Sequence, residues 1–529
     1  MVELKAYAGL IRNHAELANE LGVDISDCTR EEREEKLIVA AWNAWGEDVG
    51  SHINGQFGFA LYDADADELF CARDPLGAEL FFYYETADGK LLYGTQIKDL
   101  FSQPGFEREL NRELVQFYLG FTYVPGEETL FKGVYKLEPG GFLKFNRDGL
   151  ALGRYWELSF DPDESKTLDE WADELEKAME TSLHDILDEG EVPDSFLSGG
   201  VDSSYILAKS NAKCGYCVAY ADQKVSEEED ARATAEYLGR DFEGVSVSQA
   251  DFFASVDEFL LAYEQPSADV AGLALYAACK KVAEKSRLCF SGEGADEFFA
   301  GYSVYNNVNR LRMSPDPVYY GTTYIMNDAE QRRYLKHFYA ERSAKEFMKE
   351  RGAKGREYDP LNWMLYVDLR SYFEGSILFN STKIARGTGL DIRMPYCDLR
   401  IFDIARRMPS HYKADKDGNK KALRAAASRV LPHEVAYRKK LGFPVPVRSW
   451  LADANVNADI RRAFESEAAA EFFNVDEIGA LLDEFLGQKP RVKHPVWFAR
   501  HQGLLWRHVW TIYLLIRWYE LFFGEDAAV

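Results

Sequence analysis

The run Ser198-Gly199-Gly200-Val201-Asp202-Ser203-Ser204 constrains this chain more than any other stretch. It follows a short apolar segment, Asp194-Ser-Phe-Leu197, and the residues from Asp202 to Lys209 can open a helix. A strand that ends in Ser-Gly-Gly and turns into a helix delivers several backbone N–H groups to one point. The two glycines remove the Cβ atoms that would hold a pyrophosphate at a distance. Ser203 and Ser204 add hydroxyls where the helix dipole favours negative charge. Asp202 cannot usefully face phosphate alone, so its carboxylate is expected to hold Mg²⁺. The Gly-Lys-Ser/Thr ending of a Walker loop is missing.

A second cluster has the same logic. Ser291-Gly-Glu-Gly-Ala-Asp-Glu297 follows the apolar run Leu288-Cys-Phe290, again at the end of an expected strand. Further strands are expected at 216–220, with a helical segment at 271–284 between them and the second cluster. Strands that alternate with helices predict an α/β, doubly wound parallel sheet, in which ligands collect at the C-terminal strand ends. The two loops should then face each other. Ser291 and Gly292 would lie along a nucleotide, Asp296 would share Mg²⁺ with Asp202, and Glu293 would reach the reacting centre as a proton acceptor.

The rest of the chain is organised around this unit. Residues 1–150 read as β-rich, with runs at 55–63, 68–73 and 80–84 parted by turns, and with one helix at 30–45. The stretch 161–167 reads as a linker, and the chain after about residue 300 reads as almost entirely helical. There are 62 basic and 88 acidic residues, giving a net charge of −26. That balance excludes sequence-independent binding to nucleic acid or to an anionic membrane. Seven scattered cysteines read as cytosolic thiols, and Cys214-Gly-Tyr-Cys217 reads as part of a buried strand. The apolar stretch 504–523 is broken by Arg507, His508, Arg517 and Glu520, so it predicts a packed C-terminal helix rather than a membrane span. A cytoplasmic location is expected.

The two loops, in this order and roughly 90 residues apart, resemble those of the asparagine synthetase family of ATP-dependent amidotransferases. Gly294-Ala-Asp-Glu-Phe-Phe-Ala-Gly-Tyr302, Leu390-Asp-Ile-Arg-Met-Pro-Tyr-Cys-Asp398 and Arg438-Lys-Lys-Leu-Gly-Phe-Pro-Val-Pro446 look like further family segments. The resemblance implies an N-terminal Ntn-type α+β glutaminase-like sandwich over 1–155, followed by an ATP-pyrophosphatase-type domain over 165–529 with a helical C-terminal part. It implies that Leu197 and Val218 contact adenine, and that Ser291 and Gly292 lie on the nucleotide. Ser198, Gly199, Gly200, Asp202, Ser203 and Ser204 would hold pyrophosphate with Mg²⁺. Glu293 and Lys440 would be catalytic, and Asp391 and Arg393 would lie on the acceptor side. The implied reaction activates the aspartate side chain with ATP, and ammonia then attacks the adenylate.

The chain also departs from the family. Members that use glutamine begin with a cysteine nucleophile, and here the first cysteine is Cys28. Aligning Tyr7 to His14 with V-N-G-E-I-Y-N-H implies a start about 65 residues late, a truncated and degenerate glutaminase half. Ala8 then stands for the oxyanion-hole asparagine and Leu10 for a substrate-binding glutamate. Asn380, Thr382 and Lys383 stand where relatives commonly show Lys, Asp and Arg. Ammonia would come from solution or from a separate glutaminase, and an uncovered sheet edge could support a homodimer. An intramolecular amide-forming cyclase is the alternative, similar to β-lactam synthetases or lasso-peptide cyclases and taking a larger amino-acid substrate. An inactive regulatory relative is a third.

Overall fold

The computed structural model describes residues 2–220, 227–308, 317–439, 445–487, 495–525 and 527. The N-terminal half is built on an antiparallel five-stranded sheet. Its strands are β1 (Val2–Ile11), β2 (Gly55–Asp63), β3 (Glu68–Arg73), β7 (Gly141–Asn146) and β8 (Gly149–Arg154), in the order β1-β2-β3-β7-β8. Strands β4 (Phe82–Glu85), β5 (Leu91–Gly94) and β6 (Val134–Lys136) form a second sheet in the order β5-β4-β6. Alternation of side chains sets the layers. Phe57, Phe59, Leu61 and Phe70 point to a helical layer that includes α1 (Arg30–Trp45), through Leu37, Ile38 and Ala41. Ala60, Leu69 and Cys71 point instead to Tyr83 of the second sheet and to Phe81 just before it. Helix α1 starts where Thr29 accepts from the Glu32 N–H and Glu32 accepts from the Thr29 N–H, a reciprocal cap.

The segment 161–167 is tied down, since the Asp161 and Asp163 N–H groups donate to Arg406 and Arg407 carbonyls at 3.1 and 2.7 Å. Thr167 and Glu170 then cap α2 (Leu168–Asp185), which buries Trp171, Leu175 and Met179 at helical spacing. The second half centres on a five-stranded sheet of β9 (Asp194–Phe196), β10 (Cys214–Ala219), β11 (Asp241–Ser246), β12 (Leu288–Phe290) and β13 (Asp391–Arg393). Every pair in it is parallel, in the order β11-β10-β9-β12-β13. The chain runs outward from β9 to one edge and then resumes on β9's other side at β12. The order reverses there, and the loops after β9 and β12 lie side by side.

β13 corrects the expectation that residues beyond 300 are almost wholly helical. Three residues are too few to show a period-two pattern, so nothing in Asp-Ile-Arg announced a strand. The C-terminal helix (Pro495–Phe523) is packed, as its polar residues foretold. His508 is buried with Nε2 3.1 Å from the Ile325 carbonyl, Arg517 pairs with Asp257, and Trp518 Nε1 donates to Glu264 O. No described helix is long and apolar enough to cross a membrane. Cys214 and Cys217 lie on β10, and burial pushes their thiols up to about 11 and about 12.

Candidate active site

The loop 198–200 leaves β9 and enters α3 (Val201–Lys209). Gly199 sits at φ +49, and a Cβ there would come within 2.9 Å of the Asp230 side chain, so glycine is required on both counts. Ser203 Oγ accepts the Ser198 N–H at 3.0 Å, which closes the loop on the first turn of the helix. Arg438 donates to Gly199 O at 2.8 Å from outside. On the facing side, the Ser291 N–H donates to Arg393 O at 2.9 Å and fixes the end of β12. A Cβ on Gly292 would lie 3.5 Å from Asp202 Cβ, so the two loops nearly touch.

Between them opens a cavity of about 1610 Å³. Phe196, Leu197, Tyr216, Cys217 and Val218 form an apolar wall suited to a planar base. Ser198, Asp202, Ser203, Ser291, Gly292, Glu293 and Asp296 line the polar part. Asp269, Gly272, Leu275, Tyr372, Ile377 and Asn380 line a further wall. The geometry offers a base pocket, a phosphate loop and carboxylates aimed at the phosphates, which suffices to hold a nucleotide and present its α-phosphorus.

Several expected site residues are elsewhere. Ser204 is fully buried in α3 with no partner for its hydroxyl among the described residues, so it faces the core rather than the cavity. Asp391 and Arg393 lie on β13, and Asp391 pairs in register with Leu288, the first residue of β12. That is the end of the sheet away from the loops. Arg393 is buried and spends its guanidinium on Ile186 O, Glu191 and Asp391 at 2.5 to 3.1 Å, leaving no donor for an acceptor molecule. Burial works to lower Arg393, yet Glu191 and Asp391 hold it above the usual range. Lys440 lies outside the described residues.

Lys383 is buried in an ion pair with Glu264, whose carboxylate accepts the Ile97 and Lys98 N–H groups. Thr382 donates to Ala78 O at 2.7 Å. These two departures from the family pattern thus join the halves of the chain; of the three, only Asn380 lines the cavity. Ala8 lies opposite Gly58 in the sheet, and Leu10 is packed in the core.

Lys420 was not foreseen. Its ammonium lies 2.6 Å from Asp202 Oδ2 and 2.6 Å from Asp296 Oδ1. Asp202 Oδ1 is buried and has no partner among the described residues. Two convergent carboxylates with a spare oxygen are the hard donor set that Mg²⁺ takes alongside phosphate oxygens, so the residues fit that ion.

A doubly wound parallel sheet with a Ser-Gly-Gly phosphate loop and an acidic loop at its switch point defines an ATP-pyrophosphatase-type, nucleotide-dependent ligase. The family model described as asparagine synthase matches residues 174–520, and that described as glutamine amidotransferase domain matches residues 3–156. The chain belongs to the asparagine synthase family, and is an ATP-dependent carbon–nitrogen ligase forming AMP and pyrophosphate. A putative glutamine-hydrolysing asparagine synthetase of Mycobacterium bovis is 28% identical over 571 positions, covering 99% of this chain and 85% of that one. The glutamine-hydrolysing asparagine synthetase 1 of Bacillus subtilis is 26% identical, covering 97% and 85%. Among solved structures, the glutamine-dependent NAD⁺ synthetase of Acinetobacter baumannii overlaps 57% of this chain and 76% of that chain, with 13% identity and a TM-score of 0.20.

Proposed function

We propose that the chain adenylylates the side-chain carboxylate of aspartate and passes the acyl group to ammonia, giving asparagine. The observation that carries this reading is the meeting of the 198–204 and 291–297 loops at the switch point of the parallel sheet. Leu197 and Val218 hold the adenine, and Ser198, Gly199, Gly200 and Ser203 cradle the pyrophosphate. A carboxylate oxygen of aspartate attacks the α-phosphorus, and the bond to pyrophosphate breaks. Ammonia then attacks the acyl carbon, Glu293 takes the proton it sheds, and AMP leaves. Lys440 neutralises the charge that develops on the phosphate side. Asp202 and Asp296 would hold Mg²⁺, which supplies Lewis-acid stabilisation of the phosphates. Neither Ala8 nor Leu10 offers a donor or a carboxylate for glutamine, so the nitrogen is free ammonia or the product of a separate glutaminase.

One observation favours a second reading, the intramolecular cyclase. The wall beyond Glu293 presents Asp269, whereas the described cations lining the cavity are Lys416, Lys421 and Arg424, from the segment that carries Lys420, and Lys439 further along the chain. A carboxylate on that wall attracts an amine, and in a larger substrate that amine is the nucleophile. The deciding experiment measures pyrophosphate release with ATP and ammonium, first with aspartate and then with larger amino acids that carry their own amine. Release with aspartate and stoichiometric asparagine supports the first reading; release only with the larger acceptors sinks it.

A further inference from the structure

Lys420 is held where it is by more than its two salt bridges. It sits in the left-handed region at φ 54, ψ 35, a conformation that a non-glycine residue rarely adopts. Its side chain is 2% exposed. The short strand before it, Gly418–Asn419, is clamped: Asn419 Nδ2 donates to Gly301 O at 2.6 Å, and the Lys420 N–H donates to Phe299 O at 3.2 Å. Gly301 makes the floor, since a Cβ there would fall 1.8 Å from Asp296 Oδ1 and 2.0 Å from Lys420 Cε. On the other side, the Tyr396 hydroxyl donates to Asp202 O and anchors the aspartate's backbone. Strained backbone, absent Cβ and clamped strand end all place one ammonium between two carboxylates that would otherwise repel each other in a buried site.

We propose that Lys420 is the resident cation of the nucleotide-free site, holding Asp202 and Asp296 together where a divalent ion would bind. Resting on the reading of this cavity as the adenylylating site, the inference gives Lys420 a second partner. When the phosphate chain of ATP enters, the ammonium passes from the carboxylates to phosphate oxygens. Asp202 and Asp296 therefore accept a divalent ion only when phosphate is there to receive the lysine. Lys420 is then a positioning residue before ATP binds and a phosphate contact afterwards. Without it, two bare carboxylates would bind metal ahead of nucleotide or share a proton, and either state meets ATP in the wrong form.

The test titrates Mn²⁺ into the full-length, nucleotide-free protein and follows free ion by electron paramagnetic resonance. Lys420→Met should bind Mn²⁺ at least about tenfold more tightly than wild type, and adding Asp296→Asn should remove the gain. Lys420→Arg, which keeps the charge, should stay like wild type. A non-hydrolysable ATP analogue should bring Mn²⁺ into the wild-type site. Equal Mn²⁺ affinity of folded wild type and Lys420→Met would overturn the proposal, with folding checked by circular dichroism. Should Lys420→Met misfold, strong Mn²⁺ binding by wild type that Asp202→Asn abolishes would overturn it equally. If the analogue fails to bind while Lys420→Met still gains Mn²⁺, the resident cation stands and the nucleotide reading falls.

Discussion

Glu374 is the most consequential side chain at the junction of the two halves, and Glu374→Gln is the change that tests it. Its carboxylate is 2% exposed and accepts from Arg73 Nη1 at 2.8 Å and Lys136 Nζ at 2.9 Å, both from the N-terminal half. Burial works to raise the Glu374 carboxyl, but Lys136 and Arg73 beside it overcome this and hold it below the usual range. Substitution leaves two buried cations without a counter-charge. Breaking a buried pair in this way costs about 3–5 kcal/mol, a large share of the roughly 5–15 kcal/mol that holds a domain folded. Arg73 cannot shed its proton, whereas Lys136 can, because burial already depresses it. The sign follows. In the variant the folded state releases the Lys136 proton below the pH at which the unfolded chain does, so the unfolded state binds more protons and stability rises with pH in that window. Urea unfolding followed by tryptophan fluorescence should show the full loss near pH 6 and a smaller one near pH 9, and adding Lys136→Met should recover part of it. A loss under about 1 kcal/mol, or one that does not change with pH, would refute a charge-balanced junction.

Other outcomes follow from the same contacts. Gly301→Ala should lower ATP–pyrophosphate exchange by about 10²-fold, because the new methyl displaces Asp296 and Lys420 from the phosphate side; near-normal exchange would show that the pair need not be held so closely. Arg393→Met should cost about 1.5–3 kcal/mol in thermal or urea melts while leaving the folded enzyme's kcat unchanged, since its charge-assisted bonds are structural. Burial raises the Asp368 carboxyl to about 6 against its hydrogen bonds from Tyr319 and Tyr305. The folded state thus keeps that proton longer than the unfolded chain, and stability falls as pH rises from about 4 through 6. Asp368→Asn should gain about 3 kcal/mol relative to wild type between pH 4 and 7, read as the difference of two denaturation curves.

The nucleotide side of the site was legible because its chemistry is local. Ser198 to Ser203 lie together at the strand-to-helix junction, and both the Cβ-free approach and the capping hydroxyl are decided within six residues. The acidic loop was legible for the same reason. Asp391 and Arg393 misled because the family motif they belong to is carried by a strand, and a strand has two ends: Ser291 meets the Arg393 backbone near the site, while the Arg393 side chain turns to Glu191 behind the sheet. Ser204 misled by helical phase, lying one position beyond the last hydroxyl that faces the cavity.

Lys420 could not be read at all, and the reason bears on how such a site is built. A bridging ammonium depends on three segments that are distant in sequence: residues 202, 296 to 301, and 420. No spacing rule links them. The Lys-Asp turn at 416–417 announces a change of direction but not what it aims. Two acidic side chains predicted to share one metal are, taken alone, an unfavourable arrangement in the absence of that metal, since like charges in a buried site raise each other's pKa. A counter-charge was therefore required somewhere in the nucleotide-free protein, and the fold draws it from a left-handed residue packed on a glycine floor. The demand was deducible from Asp202 and Asp296; the residue that meets it was fixed only by the fold.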